Sequence, residues 1–434
     1  MPDAVISDIV QVTSDADGRR ILIVTPGVPH PTDGASVVLF YHYIDRLKRE
    51  GYRIHHILLL PGENWPQSTV DEYAANMADL TDPSRFHVTA VRADRFYTES
   101  RQCHRLVPSA VKEVETTARA FGADIIVAFD LLAAWITDSV EVPRRIVWLG
   151  DLNFQTILYH AWYSARESLF KMRHLPSNWL ASRSWKRVYR DALKSANKVI
   201  VASDSSVEQL ARLGIWATYE PYPWPETTTD QAAGEATPLP SIPTFLFFGS
   251  LGGLGSRSAL HFVTQKIFPL LHRQWGEGGF RLLIAGRGEL PDWVLRAFVD
   301  RKEITQLGFV EDIDALLASC HAVLVPIDVP VGNRSRILTA MAKRALVISH
   351  TNAALGNPDL EDGETCYMAS NALGFVERMR LAVEDRASAE NIIERAYRRY
   401  EEHFSPVPAS GRLALDVRRL LAVKAGSVAI ADPV

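Results

Sequence analysis

Cysteine is scarce in this sequence, and the few cysteines are far apart. The 434 residues contain three, Cys103, Cys320 and Cys366. An odd number of widely separated cysteines without a CxxC pair argues against both a disulfide framework and a zinc ribbon. No two histidines have HxxxH or HExxH spacing, so we predict no metal site. The composition therefore favours a reducing compartment and a cytoplasmic location.

Long hydrophobic runs and an excess of one charge are also missing. The longest apolar candidate, residues 123–136, is interrupted by Asp130 and is shorter than the ~18 residues that span a bilayer. The first 18 residues carry aspartates but no basic region, so we interpret residues 1–19 as a polar leader and not as a signal peptide. With 47 Lys+Arg against 51 Asp+Glu, the net charge of -4 gives no reason to predict a nucleic-acid partner.

Strand-like apolar runs alternate with helix-like segments on both sides of a proline-rich stretch. Near the start, the run 20–26, the apolar-periodic segment 37–50 and the run 54–60 form the pattern of a βαβ unit. The pattern begins again with the run 245–248 and a helical segment at 259–275. Continuous apolar runs are typical of parallel strands that are buried on both faces. We therefore predict an α/β protein with two Rossmann-like, doubly wound domains that face a central cleft.

The proline-rich stretch sets the predicted domain boundaries. Residues 221–243 contain six prolines and almost no hydrophobic periodicity, which is typical of a linker. The N-terminal domain then covers residues 20–220 and the C-terminal domain covers residues 244–405. We expect residues 406–434 to form a helix and tail that return to the N-terminal domain. A ligand site is expected in the cleft, at the carboxyl ends of the strands.

Two glycine-containing turns between a strand and a helix are candidates for phosphate contact. In the first, Gly34 would let a phosphate approach backbone N–H groups at a helix end. The second turn runs from Gly249 to Arg257 and offers bare backbone followed by a basic side chain. Its candidate ligand-binding residues are Gly249, Ser250, Gly252, Gly253 and Arg257. The alternatives are a tight turn at Gly34 and a flexible loop at 249–257. The second turn is not GxGxxG, which argues against a dinucleotide site.

A third segment, residues 331–336, combines two arginines with a predicted helix start. Asn333 is the predicted N-cap, and Arg334 and Arg336 fall in the first turn. Positive charge at this end opposes the helix dipole unless an anion is bound there. Guanidinium forks at a helix N-terminus make a good diphosphate cradle. Because the cost to the helix is modest, two ordinary surface arginines remain the alternative.

A basic, aromatic-rich stretch at residues 165–198 is a candidate for surface contact. It contains nine Lys and Arg residues against two acidic ones, with tryptophans and tyrosines between them. Such a stretch can lie on an anionic membrane or contact a charged acceptor. The alternative is a solvated helix face with aromatic anchors in the core. The first interpretation predicts peripheral contact with the inner face of the membrane.

The order of these segments resembles that of GT-B glycosyltransferases of family 4, which are retaining, nucleotide-sugar-dependent enzymes. The resemblance covers residues 20–406, and its strongest motif is GNRSRILTAMA at 332–342. Further motifs that carry it are PTDG at 31–34, DIIVAFD at 124–130, NKVIVAS at 197–203, FFGS at 247–250, LLIAGRG at 282–288 and QLGFVED at 306–312. The sequence is most similar to the branch of polysaccharide and exopolysaccharide clusters.

The sequence departs from the family pattern at several site positions. The Glu that in the family contacts the donor ribose is Thr339 here, and the companion acidic position is Val331. Arg336 stands where the family has Lys. The family His after the fourth strand falls on Phe129, beside Asp130, and the later His-Asp pair becomes Gly150-Asp151. Loss of the carboxylate at 339 removes a charge-assisted hydrogen bond, which is worth roughly 1.5–3 kcal/mol.

The resemblance implies transfer of a sugar from a nucleotide-diphosphate donor to a glycan or lipid-linked acceptor, in surface polysaccharide or glycoconjugate synthesis. Donor contacts would come from both glycine turns and from Asn333, Arg334, Arg336 and Thr339. Asp130 or Asp151 would orient or deprotonate the acceptor hydroxyl. No cofactor or metal is expected, because positive side chains and helix dipoles would neutralise the diphosphate. The alternative is a GT-B pseudoenzyme that binds nucleotide sugar or glycan as a scaffold subunit, which the absent Glu favours.

Overall fold

The computed structural model describes residues 18–32, 35–61, 67–78, 82–93, 95–98, 103–225 and 239–423. The leader up to residue 17, Gly34, linker residues 226–238 and the tail from residue 424 lie outside the described residues. The described chain forms two α/β domains, each built on a parallel sheet. The predicted fold of two doubly wound domains facing a cleft is thereby confirmed.

The N-terminal domain contains a seven-stranded parallel sheet in the order β3-β2-β1-β6-β7-β8-β9. A separate antiparallel hairpin, β4-β5, stands beside it. The strands are β1 Arg20–Thr25, β2 Arg53–Leu60, β3 Phe86–Arg92, β4 Arg95–Thr98, β5 Cys103–Leu106, β6 Ile125–Phe129, β7 Arg145–Leu149, β8 Lys198–Val201 and β9 Thr218–Tyr219. The helices are α1 Ala35–Arg49, α2 Gln67–Met77, α3 Pro108–Phe121, α4 Asp130–Thr137, α5 Asn153–Glu167, α6 Leu175–Leu193 and α7 Asp204–Ala211, with 3-10 turns at Pro83–Arg85 and Leu169–His174.

The C-terminal domain contains a six-stranded parallel sheet in the order β12-β11-β10-β13-β14-β15. Its strands are β10 Thr244–Phe248, β11 Arg281–Ala285, β12 Ile304–Gly308, β13 Ala322–Val325, β14 Val347–His350 and β15 Tyr367–Ala369. Its helices and the C-terminal helices are α8 Leu254–Phe262, α9 Phe268–Trp275, α10 Asp292–Phe298, α11 Ile313–Ala318, α12 Ser335–Ala342, α13 Thr351–Ala354, α14 Ala372–Glu384, α15 Arg386–His403 and α16 Pro406–Ala422. A π-helical turn, Val263–Ile267, joins α8 to α9.

The central strands explain why both sheets form. Every residue of β6, β7 and β10 is buried, as expected for strands with helices on both faces. In both domains the strand order reverses beside the first strand, between β1 and β6 and between β10 and β13. Ligands of doubly wound sheets bind at such reversal points, outside the carboxyl ends of the strands. The loops after β6, β7, β10 and β13 therefore lie where a ligand would bind.

The C-terminal helix joins the two domains by returning to the first. Helix α16 packs against α1, and Arg418 of α16 forms a 3.2 Å ion pair with Glu50. Asp416 of α16 and Glu220, at the end of the N-terminal domain, share the ammonium group of Lys198. None of the helices in the described ranges is long and apolar enough to cross a membrane.

Candidate functional site

A cavity of about 490 Å³ lies between the two domains at these loop ends. Seven of the predicted site residues line it, contributed by both domains. They are Asp130, Asp151, Ser250, Gly253, Asn333, Arg334 and Arg336. The structure thus brings together segments that are separated by about 20 to 200 residues in the sequence.

The two arginines enter the cavity from the loop and first turn before α12. Arg336 donates from Nη2 to the Ser256 hydroxyl at 2.9 Å, and its guanidinium carbon lies 5.1 Å from the centre of the Phe247 ring. Arg334 donates to the Val329 carbonyl at 3.3 Å. Arg334 Nε and Arg336 Nη1 are buried and have no hydrogen-bond partner among the described residues. Each arginine therefore keeps a donor that is available to an anion.

Burial of two neighbouring cations gives the site a strong preference for negative charge. Burial, with the adjacent Arg334 as a smaller cause, lowers the pKa of Arg336 to about 9. Burial also lowers the pKa of Arg334, while Asp151 across the cleft partly opposes this effect. Both shifts mean that the surrounding protein disfavours the charged form of the two guanidinium groups. A bound diphosphate would remove this penalty.

The start of helix α12 differs from the sequence prediction. Arg334, not Asn333, occupies the N-cap position, and no side chain caps the helix. The predicted N-cap at Asn333 is therefore wrong. Both amide atoms of Asn333 are buried without a partner among the described residues, and the side chain lines the cavity. The uncapped first turn leaves its backbone N–H groups for a ligand.

The glycine turn after β10 forms the floor beneath Arg336. Gly249 has a positive φ of 130°, and a Cβ atom there would lie 2.7 Å from Arg336 Nη2. Glycine is therefore required for the guanidinium group to lie against the turn. The Ser256 hydroxyl donates to the Ser250 carbonyl at 2.6 Å, which fixes the turn relative to Arg336.

Two carboxylates approach the cavity from the N-terminal domain. Asp130 follows β6 with a φ of 73°, a conformation that non-glycine residues adopt rarely and mostly at functional sites. Its Oδ1 accepts from the Leu131 N–H at 2.6 Å. Asp151 follows β7 and faces Gly332 of the other domain, where a Cβ atom would lie 2.0 Å from Asp151 Oδ1. Only glycine at 332 lets Asp151 approach this closely.

Four other predicted residues do not line the cavity. Arg257 forms a 2.8 Å ion pair with Glu167 of α5, and so links the two domains instead. Thr339 accepts from Trp224 Nε1 at 3.0 Å and donates to the Ser335 carbonyl at 3.2 Å. Gly249 and Gly252 lie in the turn but outside the lining.

Several lining residues were not predicted from the sequence. Tyr222 comes from the linker, and burial raises its pKa while Asp151 and Arg334 lie close by. Asn153, Thr156 and His160 come from helix α5. Their spacing of three and four residues places them on one helix face, a signal that sequence reasoning could have used.

Residues 242–385 match the family model described as "Glycosyl transferases group 1". A sucrose-phosphate synthase from Thermosynechococcus elongatus aligns with a TM-score of 0.66 at 14% identity, covering 93% of this chain and 99% of that one. Anabaena HepE in complex with UDP and glucose aligns with a TM-score of 0.62 at 15% identity, covering 92% and 99%. The lipopolysaccharide outer core galactosyltransferase WaaB aligns with a TM-score of 0.60 at 11% identity, covering 92% and 99%.

The family model matches about a third of the chain, and the solved structures are at most 15% identical to it. At such identities the solved structures establish the fold alone, which is GT-B. The family match covers the described part of the C-terminal domain that carries Arg334 and Arg336. Fold and family match together support a GT-B glycosyltransferase. No curated protein matches the sequence significantly.

Proposed function

We propose that the protein transfers a sugar from a nucleotide-diphosphate donor to a hydroxyl group of a glycan or lipid-linked acceptor. The observation that carries this proposal is the pair of partly buried arginines, Arg334 and Arg336, beside an uncapped helix start. Each has one buried nitrogen without a hydrogen-bond partner among the described residues. A diphosphate supplies the negative charge and the acceptor oxygens that this arrangement lacks. As the glycosidic bond breaks, charge develops on the leaving diphosphate, and preorganised donors stabilise it.

The acceptor hydroxyl would meet the carboxylates of the N-terminal domain. Asp130 and Asp151 line the same cavity as the arginines but belong to the other domain. A carboxylate can orient the attacking hydroxyl and accept its proton. The C-terminal domain would thus neutralise the charge of the donor, and the N-terminal domain would activate the acceptor. Closure of the cleft would exclude water and limit hydrolysis of the donor.

We propose more specifically that the protein is a family 4 glycosyltransferase. It would catalyse a retaining reaction in surface polysaccharide or glycoconjugate synthesis. The motif GNRSRILTAMA, which contains Arg334 and Arg336, supports the family. The complex of HepE with UDP and glucose supports a uridine diphosphate donor, and WaaB supports an acceptor in a surface glycan. The engagement of Thr339 with Trp224 means that ribose contacts would come from other groups than the residue at position 339.

A thermal-shift screen with UDP-, GDP-, ADP- and TDP-sugars tests the donor proposal. We expect the sugars of one base to raise the melting temperature clearly more than the others. A ligand that binds only the folded protein stabilises it by RT ln(1 + [L]/Kd), so the tightest ligand gives the largest shift. At a concentration of 100 Kd the stabilisation is about 2.7 kcal/mol. The absence of a shift with every nucleotide sugar, and with the free nucleoside diphosphates, would contradict the proposal.

We further propose that the N-terminal domain contacts an anionic membrane through the basic, aromatic-rich stretch at residues 165–198 and the neighbouring Trp162. Trp162, Phe170 and Trp179 are 51%, 66% and 51% exposed. Arg166, Arg173 and Arg183 lie over these rings, at 5.1, 3.6 and 4.9 Å from the ring centres. Exposed aromatic rings next to cations are typical of side chains at a membrane interface.

Vesicle sedimentation tests this membrane contact. Wild-type protein should pellet with vesicles that contain phosphatidylserine and remain in the supernatant with pure phosphatidylcholine. Changing Phe170 and Trp179 together to Ser should reduce the bound fraction severalfold at unchanged melting temperature, because both side chains are exposed. The double change Leu295→Ser and Phe309→Ser removes exposed apolar residues from the other domain and should not alter binding. Equal pelleting of all three proteins would count against the proposal.

A further inference from the structure

A second cavity, which we call the side chamber, lies in the N-terminal domain next to the cleft. It has a volume of about 570 Å³ and lies between helix α5, the turn Leu169–His174 and helix α6. It is lined by Asn153, Thr156, Ile157, His160, Ala161, Ser164, Lys171, His174, Asn178 and Trp185. Asn153, Thr156 and His160 also line the cleft, so the two cavities adjoin along this face of α5.

A row of polar side chains leads from the cleft into the side chamber. Asn153, Thr156, His160 and Ser164 follow one another at intervals of three, four and four residues, which keeps them on one face of α5. Asn153 is held in place because its Oδ1 accepts from the Tyr189 hydroxyl at 3.0 Å. Hydroxyl, amide and imidazole groups in a row offer both donors and acceptors. This is the chemistry that sugar hydroxyl groups need along a binding path.

Apolar groups complete the lining. Ile157, Ala161 and Trp185 contribute carbon surface beside the polar row, and Trp185 is buried and stacked on His104 at 3.8 Å between ring centres. Ligand sites commonly combine such apolar walls with a few placed polar groups. The mixture suits a saccharide, whose ring faces are apolar and whose edges carry hydroxyl groups.

The ionisable residues among the described lining of the side chamber are all basic. Among the described lining residues, His160, Lys171 and His174 are basic and none carries a carboxyl group. Lys171 lies 3.8 Å from Glu167 Oε2, but the other oxygen of Glu167 is 2.8 Å from Arg257 Nε. The single carboxylate is thus shared between two cations. Lys171, whose side chain is 48% exposed, therefore keeps positive charge for a ligand.

We propose that the side chamber binds the part of the acceptor next to the reacting sugar, and that this part is a saccharide carrying an anionic group, either a carboxylate or a phosphate. This inference rests on the proposed transferase function and names the class of its acceptor. The polar row on α5 would guide the sugar chain out of the cleft, and Lys171 would pair with its anionic group. The carboxylate would come from a uronic acid, and the phosphate from the diphosphate of a lipid-linked sugar.

Direct titration without donor tests the inference. The probes are chitotetraose, which is neutral, the hyaluronan tetrasaccharide, which carries uronic acids, and farnesyl diphosphate-linked N-acetylglucosamine. We expect at least one anionic probe to bind about tenfold more tightly than chitotetraose, the size of one charge-assisted contact. The anionic probe that binds more tightly identifies the source of the charge. Equal dissociation constants for all three probes, or tighter binding of chitotetraose, would overturn the proposal.

Variants of Lys171 distinguish an ion pair between Lys171 and the ligand from general electrostatic attraction by the protein. Lys171→Gln should remove the preference for the anionic probe, and Lys171→Arg should largely retain it. Lys194→Gln removes an equal charge at an exposed position at the end of α6 and should change nothing. If both Gln variants lost the preference for the anionic probe, that preference would come from the overall charge of the protein. This result would contradict a specific binding site in the side chamber. Titration of the same preparations with UDP tests the cleft separately, so failure of the side chamber and failure of the transferase proposal are distinguishable.

Discussion

Replacing Arg336 with Met weakens nucleotide binding by about 10- to 150-fold and leaves the unliganded protein at least as stable as the wild type. Arg336 is partly buried beside Arg334, and its hydrogen-bond partner, the Ser256 hydroxyl, is neutral. Buried cations without a carboxylate cost stability, and an apolar side chain of similar length removes that cost. The bound diphosphate, in contrast, loses one charge-assisted contact of about 1.5–3 kcal/mol, or about 10- to 150-fold in affinity.

The opposite signs of the two effects make this prediction specific. A variant that merely damaged the fold would melt earlier and bind less. Titration calorimetry with UDP and a melting curve without ligand measure the two quantities on the same sample. Arg273→Met, at an exposed position in α9, serves as the matched control and should affect neither. An unchanged UDP affinity in Arg336→Met would show that Arg336 does not contact the donor.

Replacing Asp151 with Asn lowers the rate of sugar transfer by about 100-fold or more without weakening donor binding. The lower bound follows from the usual contribution of a positioned general base, roughly 10²–10⁴. The carboxylate lies close to Arg334 and opposes its attraction for anions. Removing that charge should leave UDP affinity unchanged or increase it, because the diphosphate no longer meets a neighbouring negative group.

Asp130→Asn, assayed in parallel, decides which carboxylate acts on the acceptor hydroxyl. Both residues line the cavity, but one oxygen of Asp130 is already bonded to the Leu131 N–H. We expect the larger loss of kcat at Asp151, with melting temperatures similar to that of the wild type. Glu208→Gln, an exposed site on α7, is the control. Full activity in both aspartate variants would show that neither carboxylate takes part.

The fold could be predicted from the sequence because its strands are continuous apolar runs. The run 20–26 corresponds to β1 and the run 54–60 to β2, and their burial on both faces follows from the parallel sheet. Edge strands were harder to predict. Strand β12 is largely exposed and β9 has two residues, so neither has the apolar run that marks a central strand.

Those parts of the candidate site that lie within a single sequence segment could be predicted. Arg334 and Arg336 stand out because two cations at a helix start need an anion. Arg257 and Thr339 were predicted as donor contacts, but their partners are remote in the sequence: Ser164 is 93 residues from Arg257, and Trp224 is 115 from Thr339. Tyr222 was missed for the same reason, since a linker residue reaches the cleft only after the domains assemble.

The central claim is tested most directly by a time course of nucleoside diphosphate release. The substrate is the donor selected by thermal shift, and release is measured with and without acceptor. The account predicts slow release from the donor alone and faster release when a glycan acceptor is added. It also predicts that Arg336→Met slows both by at least tenfold when the donor is subsaturating, because that variant binds the donor more weakly. Tight donor binding without release in the presence of any acceptor would contradict a transferase and point to a nucleotide-sugar-binding subunit of the same fold.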